Sequence, residues 1–256
     1  MKDPHIVSLR YKLETISNVT FNDSPSIKDE IDSFQVFLDN GMAIVTLKDH
    51  FESIPSARKF VDAYFRAWEL GAALNFNREV IKFVFEDAEV IDRDPPPPGS
   101  PIMLQPLDIA SASFVGKVTA SVSKHEYPLP PKDFRVNPDV ETLWNRFNGY
   151  IQGNEPLLSM AYFILTFLEA RANGRKKAGE LYLIHKNVLD KLGELTAERG
   201  DEKTARKIKK TNKLMTLNHT ETCWIEAIIK AIIRRVGEID VNPSPDILTM
   251  KDLPML

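Results

Sequence analysis

Five histidines, His5, His50, His125, His185 and His219, are the first residues to question, because imidazole is the side chain that titrates near neutrality and the commonest metal ligand. No two of them lie at metal-ligand spacing on one element. His50 closes the segment Lys48-Asp49-His50, where a carboxylate beside an imidazole could support acid–base chemistry; the plainer reading is a solvated strand end. The serine nucleophile elbow, the P-loop and the G-x-G-x-x-G fingerprint are all absent. The sequence therefore assigns no catalytic residue, no metal ligand and no cofactor.

Basic residues offer a different chemistry. Residues 199–213 hold seven Lys and Arg (Arg199, Lys203, Arg206, Lys207, Lys209, Lys210, Lys213) against Asp201 and Glu202. Arg175, Lys176 and Lys177 form a second cluster. Such groups can neutralise phosphates, so Arg175, Lys176, Lys177, Arg206, Lys207, Lys209 and Lys210 are the candidate binding residues. Nothing aromatic is interleaved from 199 to 213, so base stacking has no platform there, and a solvated loop is the plainer reading. Nucleic acid is a conceivable partner but not the favoured one. The helical HEPN ribonucleases place an Arg a few residues before a His; here Arg175 precedes His185 by ten positions and Arg206 precedes His219 by thirteen, and neither fits.

A third constellation is Glu155, Ser159, Tyr162, Thr166 and Glu169, one polar stripe at helical spacing in an otherwise apolar run. Its two carboxylates could serve a site between helices. They are 14 residues apart, about 21 Å along a helix, so they cannot share one proton or one metal. The one cysteine, Cys223, precedes Trp224 on an amphipathic pattern and reads as a small buried side chain; it has no partner for a disulfide within the chain.

The elements that carry these residues fall into two parts. In FQVFLDNGMAIVTL, Asn40-Gly41 separates two alternating runs and predicts a type I′ hairpin. Phe34 should face Leu47, Val36 should face Val45 and Leu38 should face Ala43 on the apolar side, with Gln35 opposite Thr46 and Phe37 opposite Ile44 on the other. Ser53 and Pro55 open a helix to about residue 76, with Phe60, Val61, Tyr64, Trp68 and Ala72 as the stripe laid on a sheet. Further strands are expected at residues 5–14, at EVIKFVFEDAEVID, read as largely buried, and at residues 108–124. DRDPPPPGSP reads as a stiff surface loop.

After the proline-rich residues 127–139 the period changes from two to 3.6. Helices are expected at 140–150, at 156–172 with a left-handed stop at Asn173-Gly174, at about 187–198, and from an Asn218 cap with Glu221 three residues on. The division is an α+β part at 1–126, a linker at 127–139, a helical part at 140–240 and an extended tail at 241–256. Charge follows it: residues 134–256 hold 19 Lys and Arg against 16 Asp and Glu, and residues 1–133 hold 14 against 20.

The fold class is thus α+β, an N-terminal antiparallel sheet packed by one helix and then a C-terminal α-helical domain. MKDPHIVSLRYKLE lacks the apolar stretch of a secretory signal, and the most apolar run, residues 156–168, is shorter than the about 20 residues that span a bilayer. A cytoplasmic protein with no membrane partner is expected.

The segments FQVFLDNGMAIVTLKDHF, RAWELGAALNF, IKFVFEDAEVIDRDPPPPG, EPLLSMAYFILTFLEA, LGELTAERGD and WIEAIIKAIIRRVGE resemble a widespread family of uncharacterised bacterial proteins, some labelled methylamine utilization protein MauJ. The resemblance covers roughly residues 5–238. It implies an accessory protein and supplies no catalytic residues. Three functions stay open: a non-catalytic accessory or interaction protein with a protein partner, a nucleic-acid-binding protein using the basic residues above, and an enzyme whose site is assembled from residues distant in sequence.

Overall fold

A computed structural model of the chain describes residues 3–16, 19–21, 24–94, 123–124, 126–200, 215–242 and 244–256. The chain forms two compact units, Met1–Phe65 with Glu79–Pro130 and Arg66–Arg78 with Pro131–Leu256.

The first unit is built on strands β1 (Pro4–Thr15), β2 (Val19–Thr20), β3 (Ile27–Ile31), β4 (Phe34–Asp39), β5 (Met42–Leu47), β6 (Ile81–Asp92) and β7 (Ser123–Lys124). Five of them make an antiparallel sheet in the order β3-β4-β5-β1-β6, and β2 pairs with β7 in parallel. The hairpin register is the expected one: Phe34↔Leu47, Val36↔Val45 and Leu38↔Ala43 are buried, and Gln35↔Thr46 and Phe37↔Ile44 lie on the other face. Asn40 and Gly41 both take positive φ, 48° and 76°, which the type I′ turn requires. The Gly41 N–H donates to the Tyr127 hydroxyl at 2.9 Å, so Tyr127, read from sequence as the first linker residue, is buried against this turn.

Two expectations about this unit change. The stripe of helix α1 (Ile54–Phe76) runs through Ala57, Val61, Phe65, Trp68 and Ala72, all buried. Phe60 is 57% exposed and rests against Phe51 instead. At about 100° per residue Phe60 lies about 80° round the helix from Trp68, too far to join the stripe. Phe65 takes that place on the sheet, stacked on Phe83 at 4.2 Å and tilted against Tyr11 at 4.6 Å. The second change is β6. Among the described residues it is an edge strand, not a largely buried one: Ile81 and Phe83 are buried, whereas residues 84–92 are half-buried or exposed. Its acids Glu86, Asp87 and Glu89 and two β-bulges against β1 suit an edge, because charge and bulges blunt a strand's open ladder. Strand β3, IKDEI, had no apolar run to reveal it. Of the strand expected at 108–124, residues 123–124 are described as β7; the rest, and most of the proline run, lie outside the described residues.

The second unit holds α2 (Pro138–Ile151), α3 (Leu157–Ala172), α4 (Arg175–Leu181), α5 (Lys186–Glu198) and α6 (His219–Glu238). Asn137 caps α2 through the Val140 N–H, and Asn218 and Glu221 form a full capping box on α6. Asn173 stops α3 in the left-handed region at φ 59°. Leu158, Ala161, Ile164, Leu165 and Leu168 of α3 are all buried in one core with Trp144, Phe147, Leu189, Leu192, Trp224, Ile228 and Ile232. Helix α4 is only seven residues long, too short to show a period. Segment 241–256 is not simply extended: Leu248 bridges to Ile184 and Met250–Asp252 forms a 3-10 turn.

Candidate functional site

Of the seven basic residues proposed from sequence, Arg206, Lys207, Lys209 and Lys210 lie outside the described residues. The other three open α4. Arg175 is paired within the fold. Its Nε donates to Glu169 Oε1 at 2.6 Å and its Nη1 to Asp190 Oδ1 at 3.3 Å, so it ties α3, α4 and α5 together. Burial works against its charge, but the two carboxylates more than offset this and raise its pKa. The guanidinium lies against Gly193 of α5, where a Cβ would meet it at 2.7 Å. Lys176 makes only a 3.9 Å contact with Glu180 and Lys177 is exposed.

The polar stripe of α3 is committed in the same way. Glu155 is held by Arg146 at 2.6 Å, and that guanidinium stacks over Phe163 at 4.2 Å. Thr166 Oγ1 donates back to the Tyr162 and Phe163 carbonyls, and Glu169 holds Arg175. The two carboxylates are thus the anchors of separate arginines. Cys223 is half-buried, not buried; its sulfur lies 3.6 Å from His219 Nε2, because positions four apart share a helix face. On the same side of α6, Glu226 accepts a 2.5 Å bond from the Tyr150 hydroxyl. Burial, then this carboxylate, push the Tyr150 phenol above its ordinary range.

Arg199 departs from the loop reading of the basic segment. Its Nε donates to Glu221 Oε1 at 2.8 Å, while Glu221 Oε2 accepts the Asn218 N–H at 3.0 Å. Burial opposes the Glu221 charge; the backbone bond at Asn218 and the Arg199 guanidinium outweigh it and hold the carboxyl below its usual range.

One cluster was invisible to spacing. His5 on β1 and His50 just after β5 meet with Nδ1 atoms 3.0 Å apart. Arg93, just after β6, brings Nη1 to 3.1 Å from His50 Nδ1, and Asp3 Oδ1 lies 3.6 Å from His50 Nε2. Backbone bonds fix the same corner: Ile6 N–H to the Phe51 carbonyl at 3.0 Å and Arg93 N–H to the Asp3 carbonyl at 2.8 Å. The signal that could have found it is topological. Once Ser8 pairs with Thr46, His5 falls opposite residue 49, next to His50. An imidazole pair beside a carboxylate and a guanidinium can hold a proton at a defined atom. Among the described residues no group of three or more His, Cys, Asp or Glu is placed to hold a metal ion, and no helix is long and apolar enough to cross a membrane. No protein-family model matches the chain, and neither a curated protein nor a solved structure matches it.

Proposed function

We propose that this chain is a non-catalytic accessory or interaction protein that docks a protein partner through apolar side chains on segment 241–256. The observation that carries the reading is how that segment is held. Leu248 and Leu253 are buried, the Leu248 N–H donates to the Leu183 carbonyl at 2.9 Å, the His185 N–H returns to the Leu248 carbonyl at 2.8 Å, and Thr249 and Asp252 cap the 3-10 turn reciprocally. Next to these ties the segment displays Ile247 at 56% exposure, and Met255 at 86%, Val241 and Leu256 are also exposed. Ile247 adjoins the anchored Leu248, so its backbone is pre-organised for binding and less ordering entropy is left to lose there. The commitment of Arg175, Glu155, Glu169 and Glu221 to internal ties supports the same reading, as does the sequence resemblance to an accessory family.

The test is affinity capture with mass spectrometry from cells of the source organism, parent against the Ile247→Ser, Met255→Ser double variant. Both sites are exposed, so stability should stay within about 0.5 kcal/mol per site. A protein recovered by the parent and lost by the variant supports the proposal; identical recoveries overturn it.

A further inference from the structure

The connection between α4 and α5 is shaped to receive an extended chain. Leu183 takes φ 49°, a region leucine rarely occupies, so the surrounding structure holds this connection in one form. On either side of the buried Ile184, the Leu183 carbonyl accepts the Leu248 N–H at 2.9 Å and the His185 N–H donates to the Leu248 carbonyl at 2.8 Å. This is one rung of a parallel ladder, with Ile184 and Leu248 as bridge partners. From α6 the buried Arg235 donates its Nη1 to the Asp246 carbonyl at 2.6 Å. Leu248 and Leu253 lie in one core with Tyr182, Ile184 and Val236. These polar contacts all go to the segment's backbone, so the groove reads an extended chain with leucines two and seven residues after the gripped carbonyl.

We propose that this groove is an exchangeable peptide site whose other occupant is segment 246–253 of a second copy of the chain, the two copies trading segments. A second copy carries the same carbonyl and the same two leucines, so it makes each contact that the chain's own segment makes. What favours the chain's own segment is effective concentration alone. The join to α6 suits a hinge. Asn242 Oδ1 accepts the Ser244 N–H at 3.1 Å, turning the chain off the helix, and Pro243 and Pro245 have no N–H with which to tie it further. The Thr249–Asp252 cap is internal to the segment and travels with it. A segment tied at so few points opens locally while the helices stay closed. Ile247 is shown to water in either copy, so the exchange does not rest on the docking proposed above.

The probe is a synthetic peptide of residues 244–256, added unlabelled to the nitrogen-15-labelled full chain. The chain's own Leu248 amide should move to the shift of an unbound segment while the His185 amide stays, because the same acceptor returns to it. A Leu248 amide that does not move at millimolar peptide, the effective concentration a short link provides, overturns the proposal. A peptide carrying Leu248→Ser and Leu253→Ser should displace nothing; equal action by it would also sink the idea. The Leu248→Ser full chain, its own segment weakened, should bind the parent peptide at least about tenfold more tightly than the parent chain does, the lower end for one lost leucine anchor. Equal affinity for the two chains would place the peptide elsewhere and count against the groove. A peptide carrying Ile247→Ser and Met255→Ser should act as the parent peptide does, which separates this site from the exposed side chains proposed to dock a partner; loss of binding there would refute anchoring by the leucines. Whole chains give the last arm. In a mixture of nitrogen-15-labelled and carbon-13-labelled chains at millimolar concentration, an NOE should join the His185 amide of one to the Leu248 α-proton of the other, and its absence removes the second copy as occupant.

Discussion

The sheet unit and the helical unit solve the same problem, holding elements in one position, with different side chains. In the sheet unit two phenols donate to carboxylates: Tyr11 to Asp62 at 2.6 Å and Tyr64 to Asp29 at 2.7 Å, each joining α1 to a strand. In the helical unit guanidiniums do most of the joining, Arg171 to Asp139, Arg146 to Glu155 and Arg175 to Glu169, all at 2.6 Å, beside one phenol, Tyr150 to Glu226 at 2.5 Å. The difference follows from the backbone. A strand is already registered by its ladder, and a slip of one residue would turn its whole apolar face to water. Helices packed side by side have no ladder between them. Pairs at half-exposed positions add only about 0–1 kcal/mol each, so these contribute registration more than stability.

The largest expected effect is on a further, more buried tie of the helical unit, Arg199 to Glu221. Glu221→Ala removes the Arg199 partner and half of the α6 capping box together, and should cost about 2–4 kcal/mol by urea denaturation. Because the folded Glu221 pKa is depressed, its contribution is complete above the ordinary glutamate range and is lost as pH falls through the folded value. The parent should therefore lose its margin over the variant on acidification; a margin independent of pH would show that packing, not charge, carries the tie.

Register in the sheet unit is tested next. Gly41→Val places a β-branched residue at φ 76° and should cost about 1–3 kcal/mol. Cys223→Ala, at a half-buried helical position, should change stability by less than about 0.5 kcal/mol. Equal thermal midpoints for the two would mean that the turn does not set the sheet's register.

The smallest effect separates the two kinds of tie. Burial, then Asp62 for Tyr11 and Asp29 for Tyr64, raise both phenols above the ordinary tyrosine range. Their contribution is full below about pH 10 and declines as pH rises past it, because the unfolded chain ionises first. Each should steepen the alkaline loss of stability by about 1.4 kcal/mol per pH unit. The Tyr11→Phe, Tyr64→Phe variant should show a flatter alkaline limb than the parent in denaturation from pH 9 to 11; parallel limbs would remove the phenol ties from the comparison.

What the sequence determined by itself was everything set within a few residues. The Asn40-Gly41 turn and its register, the Asn218–Glu221 box, the Asn173 stop and the apolar girth of α3 depend on local φ preference, side-chain reach and period, all of which neighbours in the chain specify. Only the tertiary structure decided the rest. Whether Phe60 or Phe65 faces the sheet depends on a fraction of a helical turn, and whether β6 is central or an edge depends on strand order. The candidate site belongs wholly to this second kind. Arg175 looked like a free cation until α5 brought Asp190 to it, and His5 and His50 are strangers in sequence, 45 residues apart, until β1 pairs with β5. Long-range pairing sets which charges meet, and charge alone cannot reveal it because a cation reads the same whether its carboxylate is a residue of the fold or a ligand from outside.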